Sequence, residues 1–279
     1  MVTTGDLVIV GNDGVTGSIF AFDQRTGDIR WQYDAGSGGV QLDLLLVPPR
    51  VYAVTPDEGL LAIDVGTGRV AWRSAMKPAP WASPASDGKR IYVAAADGVL
   101  HAWNAQDGSP AWQTKLEGLP SSSVVVANGD VYAGTSSTGW DDPWEMSGRG
   151  THLLYRVNAS SGNVLSALRL PAKPLGIPLI GGKGVVVVAG EDLASADKNL
   201  KAIRWRTRAP TFDRKPRPQL RGDVVYLGVE KSDLVAIDIG DGSIQSRQAA
   251  EGAITTFRVD DGQILIGAKQ KLWAYAAKP

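Results

Sequence analysis

The chain has 279 residues, with 29 basic and 29 acidic side chains, so its formal net charge is zero at pH 7. A neutral chain lacks the general attraction to nucleic acids and acidic membranes that a basic chain has. It contains no cysteine, which excludes disulfide bonds, thiolate metal sites and a cysteine nucleophile.

Residues 1–6 contain neither a basic segment nor an apolar run, so they do not predict a signal peptide. No stretch approaches the roughly 20 apolar residues of a membrane-spanning helix. The 33 glycines and 16 prolines disfavour long helices and favour many short strands joined by tight turns.

A repeat of about 40 residues runs through the chain, with the motif Ala-x-Asp-x-x-Thr-Gly-x-x-x-Trp. It is strongest around Asp23 and Asp64, which lie 41 residues apart, and it becomes fainter after Asn104. The seven copies have these residues at the Asp position: Asp23, Asp64, Asn104, Asn158, Asp197, Asp238 and Ala276.

Each copy predicts four short strands, A to D. Strand A ends before a Gly or Asp turn, strand B is an apolar run such as residues 90–94, and strand C ends at the motif Asp. The Asp side chain is expected to accept backbone N–H groups two or three residues on, and the Gly to provide a positive φ. Strand D carries a tryptophan that is expected to dock against the neighbouring sheet: Trp31, Trp72, Trp112 and Trp205.

Four strands every 40 residues, seven times over, predict an all-β, seven-bladed β-propeller of four-stranded antiparallel blades. We expect a single domain over residues 1–279 with incomplete terminal blades. The first blade begins with at most a stub of strand A in residues 2–4, and the last blade ends at strand C. Ring closure would then use a strand from upstream of Met1. A β-sandwich array is the alternative, but it does not explain the tryptophan spacing.

The motif resembles the tryptophan-docking repeat of the pyrroloquinoline-quinone (PQQ) propeller superfamily, over nearly the whole chain. That family includes quinoprotein dehydrogenases, sensor domains of membrane kinases, and a non-catalytic lipoprotein that assists β-barrel assembly in bacterial outer membranes. The dehydrogenases are about twice as long, carry adjacent cysteines over the cofactor, and bind Ca²⁺. None of these parts can be assigned to residues of this sequence.

The resemblance therefore favours a non-enzymatic protein-interaction scaffold, similar to the barrel-assembly propeller and located in the periplasm or at the cell surface. A PQQ-binding sensor domain and a PQQ-dependent oxidoreductase are the alternatives. No cofactor or metal is predicted, PQQ and Ca²⁺ belonging to the alternatives. The expected partner is a protein rather than a nucleic acid, and the chain is expected to be monomeric.

An insertion at residues 136–150 separates strands B and C of the fourth copy, on the face of a propeller that commonly carries function. One interpretation is a partner-binding loop, because aromatic anchors dominate interfaces. The alternatives are a loop that covers the propeller top, and a Ca²⁺ site through its three acids. The residues concerned are Trp140, Asp141, Asp142, Trp144 and Glu145.

A basic stretch follows on strand D of the fifth copy, where Arg204, Arg206 and Arg208 alternate and so point to one face. It continues in the link to the sixth copy with Arg214, Lys215 and Arg217. The stretch predicts either contact with an acidic partner or a solvated strand edge whose charges prevent aggregation.

Three further residues have weaker functional interpretations. Trp81 lies between two prolines in the link from the second to the third copy, where it would either stack on a planar ligand such as PQQ or plug the central channel. His101 and His152 lie at nearby but not identical repeat positions. Two histidines without a third ligand are expected to be structural rather than to bind a metal.

Overall fold

The computed structural model is all-β over the residues that it describes, with no helix among them. The described residues are 1–12, 17–40, 42–77, 82–138, 150–208, 217–229, 233–260, 263–268 and 271–276. Their strands form seven antiparallel sheets, six of which contain strands A to D of one repeat. This succession is the seven-bladed β-propeller that the repeat predicts, and the sheets are called blades one to seven.

The strands follow the repeat in chain order. Blade one contains β1 (Val2–Thr4), β2 (Leu7–Gly11), β3 (Gly17–Asp23) and β4 (Ile29–Gly36). Blade two contains β5 (Leu45–Val47), β6 (Arg50–Thr55), β7 (Gly59–Asp64) and β8 (Val70–Ser74). Blade three contains β9 (Ala85–Ser86), β10 (Arg90–Ala94), β11 (Val99–Asn104) and β12 (Pro110–Lys115).

Blade four has a divided strand A, because two short strands both pair with strand B. It contains β13 (Leu119–Pro120), β14 (Val125–Ala127), β15 (Asp130–Ser136), β16 (His152–Asn158) and β17 (Val164–Arg169). Blade five contains β18 (Pro174–Ile180), β19 (Val185–Ala189), β20 (Asp192–Ala196) and β21 (Ile203–Arg208).

Blade six contains β22 (Gln219–Arg221), β23 (Val224–Val229), β24 (Asp233–Asp238) and β25 (Ile244–Ala249). Blade seven contains β26 (Ile254–Asp260), β27 (Gln263–Ala268) and β28 (Lys271–Ala276). The expected stub of strand A in blade one is a three-residue strand that pairs with β2, so that blade has four strands. Blade seven has three among the described residues.

The chain divides into two compact units. One consists of Met1–Gly139 and Tyr155–Leu165, and the other of Trp140–Leu154 and Ser166–Pro279. Within the first unit, apolar side chains from blades one and two form one core, which includes Ile9, Ile19, Val51 and Ile63. Within the second unit, blades five and six share a core of the same kind. Apolar burial between consecutive sheets therefore holds each unit together.

A bulge recurs beside the motif in the pairing of strands C and D. The register shifts directly after the motif's small residue in five blades. In four of them this small residue lies opposite the tryptophan of strand D, as in Ala21 opposite Trp31 and Ala62 opposite Trp72. A small side chain at this position leaves room for the indole on the neighbouring strand.

Candidate functional site

Four tryptophans of strand D each donate a hydrogen bond to the following copy of the repeat. The acceptor is always the backbone carbonyl of the residue directly after the motif Asp or Asn. The N–H to O distances lie between 2.7 and 3.0 Å for Trp31 to Val65, Trp72 to Ala105, Trp112 to Ala159 and Trp205 to Ile239. A buried indole N–H needs such an acceptor, so this bond fixes the position of a large apolar side chain.

Three of these carbonyls accept a second hydrogen bond from a hydroxyl of the same blade as the tryptophan. The donors are Tyr52 to Ala105, Tyr92 to Ala159 and Ser195 to Ile239, at 2.7 to 2.9 Å. Because a carbonyl oxygen has two lone pairs, both acceptor positions are used.

The motif glycine of the following copy lies directly under each indole. A Cβ atom added at Gly108, where φ is +73°, would lie 2.6 Å from the Trp72 ring. The same approach, at 2.7 to 2.8 Å, occurs at Gly68, Gly162 and Gly242. The glycine is therefore required both for the backbone conformation and for the close contact with the ring.

The motif Asp stabilises the turn that directly follows it in the chain. The Asp23 carboxylate accepts the backbone N–H groups of Arg25 and Thr26, both at 2.9 Å, and forms an ion pair with Arg30. The hydrogen bonds from Thr26 and Arg30 lower the pKa of Asp23 to about 2. The hydroxyl of Thr67 similarly lowers the pKa of Asp64. Both carboxylates therefore stabilise the turns of the motif.

The predicted partner-binding loop is described only at its two ends. Trp140, Asp141, Asp142, Trp144 and Glu145 lie outside the described residues. At one end Ser136 is buried and its hydroxyl lies 2.7 Å from that of Thr138. At the other end the Gly150 carbonyl accepts a hydrogen bond from Arg169 at 3.4 Å. The insertion begins at Ser136, the last residue of β15, and ends before β16, between strands B and C as predicted.

The basic stretch is divided between described and undescribed residues. On β21, Arg204 donates to the carbonyl of Lys183, and Arg206 forms an ion pair with Asp192 at 3.2 Å. Arg217 is exposed, whereas Arg214, Lys215 and the side chain of Arg208 lie outside the described part. The two described arginines of β21 thus contact different neighbours.

The remaining candidates do not form a common site. Trp81 is outside the described residues. His101 stacks on Trp103 with ring centroids 5.3 Å apart, and burial lowers its pKa. His152 is buried at the start of β16. Among the described residues there is no group of three or more His, Cys, Asp or Glu side chains placed to hold a metal.

Sequence reasoning missed one grouping of charges, formed by Lys183, Lys198 and Arg204 around an open cleft. Lys183 lies in a Gly-Gly-Lys-Gly turn that shows no motif, and its proximity to Arg204 depends on the pairing of β18, β19, β20 and β21. The only signal in the sequence was the basic stretch that begins at Arg204.

No helix long and apolar enough to cross a membrane occurs in the described ranges of the chain.

Known proteins with similar sequences include the outer membrane protein assembly factor BamB of Yersinia pestis. It is 24% identical over 268 residues, which are 85% of this chain and 64% of that protein. The serine/threonine-protein kinase AfsK of Streptomyces griseus is 31% identical over 128 residues, which are 42% of this chain and 16% of the kinase. The chain therefore spans less than two thirds of the length of either relative.

Among solved structures, the crystal structure of BamB from Moraxella catarrhalis matches with a TM-score of 0.75 and 18% identity, covering 97% of this chain and 79% of that one. At that identity the match establishes the fold. The model of one protein family, described as outer membrane protein assembly factor BamB, matches residues 1–83, 57–140 and 133–278. Because these matches extend over nearly all of its 279 residues, the chain belongs to the BamB family of PQQ-like propellers.

Proposed function

We propose that this chain is a non-enzymatic scaffold that binds other proteins during the assembly of outer membrane proteins. The observation that carries the proposal is the family match over nearly the whole chain, whose family is described as an outer membrane protein assembly factor. We further propose an extracytoplasmic location and a single propeller domain over residues 1–279.

The chemistry of the blades supports this proposal. The Asp, Tyr and Trp polar groups that the repeat brings together are engaged in turns and in bonds between copies, as at Asp23 and Trp72. A rigid scaffold of this kind suits protein binding, because loops on it are held in fixed positions. The chain needs no cofactor for such a role, and a monomer would suffice.

For the partner-binding surface we propose the insertion at residues 136–150, with Trp140 and Trp144 as anchors. Asp141, Asp142 and Glu145 would give this surface a negative rim, and Arg214, Lys215 and Arg217 would form a second, basic contact. Tryptophan and arginine are enriched among the residues that contribute most of the binding energy at interaction hot spots.

A rescue experiment tests the function. The chain, fused to the signal and lipid anchor of the host protein, is expressed in a strain that lacks its own BamB. We expect it to restore the amount of outer membrane β-barrel proteins, measured by immunoblot, with the host BamB on the same vector as the control. Correct export of the chain without any recovery would contradict the proposal.

A double substitution tests the surface. Changing Trp140 and Trp144 to alanine should weaken partner binding about tenfold or more, because a buried interface tryptophan contributes about 2 kcal/mol or more. The melting temperature should stay the same, since the loop lies outside the repeat. A steep fall in melting temperature with unchanged rescue would show that both residues are structural cover.

The similarity to the kinase AfsK supports a second candidate, a sensor domain of a signalling protein. The match covers 42% of this chain, less than the family match does. Titration with PQQ and Ca²⁺, followed by tryptophan fluorescence, distinguishes the two candidates. Saturable micromolar binding would favour a PQQ sensor, and dye reduction with an alcohol or an aldose would favour an oxidoreductase.

A further inference from the structure

The first copy of the repeat has a motif turn, residues 23–28, on which no tryptophan of the described chain docks. In the second, third, fourth and sixth copies, the carbonyl directly after the motif Asp or Asn accepts an indole N–H. The equivalent carbonyl of the first copy belongs to Gln24, and no described residue donates a hydrogen bond to it. A Cβ atom at Gly27 would meet nothing within 4 Å, so the space that an indole fills in those four copies is open here.

The backbone of this first motif turn is held as in the copies on which a tryptophan docks. The Gly27 N–H donates to the Asp23 carbonyl at 2.9 Å, and the equivalent bond has this length in all four docking copies. The Gln24 N–H donates to the carbonyl of Asp6 in the turn between strands A and B, and each docking copy has the equivalent bond. Gly27 has a φ of +79°, within the range of +70° to +79° for the four equivalent glycines. The first motif turn therefore has the backbone conformation of a docking turn.

The fifth copy shows how the turn differs where the preceding blade has no docking tryptophan. Blade four has Ser166 at the tryptophan position. The fifth copy has no glycine at the motif position, and its turn is closed by a hydrogen bond from the Leu200 N–H to the Asp197 carbonyl, three residues away instead of four. Elsewhere in the described copies the glycine and its four-residue hydrogen bond accompany a docked tryptophan. Because the first copy retains both, we expect it to receive an indole.

The docked tryptophans show which kind of ligand fits such a turn. Each lies in a strand D, where the side chain two positions further on points to the same face. In blade three this side chain is Thr114, whose hydroxyl donates to the carbonyl of the motif glycine Gly162 at 2.6 Å beside the docked Trp112. An extended segment therefore offers two donors to one motif turn, which a free indole does not. The four docking strands all have a hydroxyl residue at this position: Tyr33, Ser74, Thr114 and Thr207.

An apolar side chain beside the first motif turn would contact the incoming ring. Ile29 is 55% exposed. Its equivalent in the second copy, Val70, packs against the apolar core that contains Trp31, and so does Val65. In the first copy Gln24 takes the place of Val65, so the ring gains one apolar side chain there instead of two. A docked indole would cover part of Ile29, which favours a weak, reversible contact.

We propose that the first motif turn binds a tryptophan of a partner polypeptide, presented in an extended segment with a hydroxyl residue two positions after the tryptophan. The indole would lie over Gly27 and donate to the Gln24 carbonyl, and the hydroxyl would donate to the Gly27 carbonyl. The proposal rests on the scaffold function above in taking the ligand to be a polypeptide, and it adds the chemistry of the segment that is bound.

The test titrates the isotope-labelled chain with a capped peptide copied from residues 110–115 and follows the amide resonances of the first motif turn by NMR. The control peptide has serine at the tryptophan position, the residue that the fourth copy carries there. We expect saturable shifts of the Thr26 resonance with the tryptophan peptide alone. Gly27→Ala should weaken binding about tenfold or more, because its Cβ atom would take the place of the ring.

Gly129→Ala is the matched control variant. Gly129 has a φ of +80°, and a Cβ atom there would also meet nothing within 4 Å. The two variants should lose similar stability, since both force alanine into a positive φ, but Gly129→Ala should bind the peptide as the parent chain does. If Gly27→Ala does not fold, Ile29→Ser takes its place, because it removes the exposed apolar contact and leaves the turn backbone unchanged.

Several outcomes would overturn the proposal: no shifts in the turn, equal shifts with the serine peptide, or equal losses of binding in the two glycine variants. Binding of N-acetyltryptophanamide as tightly as the peptide would replace the polypeptide with a small indole ligand. A monomer–dimer equilibrium in sedimentation that Gly27→Ala abolishes would replace the partner with a second copy of the chain. Peptide binding without rescue of the strain that lacks BamB would count against the scaffold function and not against this site.

Discussion

Replacing a motif glycine with alanine should be far more harmful under a tryptophan than in open space. Gly27 and Gly108 occupy the same motif position and have nearly the same φ, +79° and +73°. A Cβ atom at Gly27 meets nothing within 4 Å, whereas one at Gly108 lies 2.6 Å from the Trp72 ring. The pair therefore separates the backbone effect of alanine from its collision with the ring.

The magnitudes follow from these two geometries. Alanine at a positive φ costs about 1–2 kcal/mol, which is the whole effect expected for Gly27→Ala. Gly108→Ala carries the same penalty plus about 1–3 kcal/mol for forcing the indole away from its packed position. For a chain of this size 1 kcal/mol corresponds to roughly 2 °C in melting temperature. Gly27→Ala should then lower it by about 2–4 °C and Gly108→Ala by about 4–10 °C.

Urea denaturation followed by tryptophan fluorescence measures both variants, and an unchanged slope shows that the unfolded state is comparable. A double-mutant cycle makes the test sharper. In a Trp72→Ala background the ring is gone, so Gly108→Ala should cost no more than Gly27→Ala does in the parent chain. Equal losses for the two single glycine variants, or additivity in the cycle, would refute the argument that the ring and the glycine are packed against each other.

Three further predictions concern titration and backbone strain. The pKa of Asp23 in the folded chain is about 2, below its ordinary value of 3.8. The stabilising contribution of Asp23 is therefore complete above pH 3.8 and disappears as the pH falls through about 2. The melting temperature should therefore decline between about pH 4 and pH 2, and less so in Asp23→Asn. Burial and the hydrogen bond to Glu58 raise the pKa of Tyr33 to about 12. Its contribution to the free energy of unfolding is therefore present below pH 10 and is lost toward pH 12. Comparing the absorbance titrations of Tyr33→Phe and of the parent chain identifies the ionisation of this phenol. Leu200 is buried and has a φ of +53°. The Leu200→Gly variant should therefore be more stable than Leu200→Ala by about 1 kcal/mol, although alanine is usually the more stabilising of the two residues. A lower urea midpoint for the glycine variant would contradict this prediction.

Much of the fold was predictable because its signals are local. The turn at Asp23 depends on hydrogen bonds to residues two and three positions on, so the motif alone predicts it. Strand β10 occupies the predicted residues 90–94, because alternation and the preceding turn define both of its ends.

The exceptions involve contacts that no short pattern encodes. Leu200 takes a positive φ three residues after Asp197, whereas the other full copies have their positive-φ glycine four residues after the motif residue. Leucine gives no turn signal, so the sequence did not predict this conformation. The contact of Arg204 with Lys183 joins residues 21 positions apart through the pairing of a whole sheet. The partner-binding loop with Trp140 and Trp144 remains a prediction, because its residues lie outside the described ranges.

The hydrogen bonds of the docking tryptophans can form only after the following copy of the repeat has been synthesised. Each indole N–H finds its acceptor 33 to 47 residues later in the chain, as at Trp72 and Ala105, which are 33 apart, and Trp112 and Ala159, which are 47 apart. A blade emerging from the ribosome can pair its own strands, but it cannot complete this bond until the following copy has been made. At 5–20 residues per second that delay is about 2–9 s. Until then the indole stays exposed on a newly formed edge, so each of the four nascent blades that carry such a tryptophan passes through an interval in which a chaperone has a tryptophan to recognise.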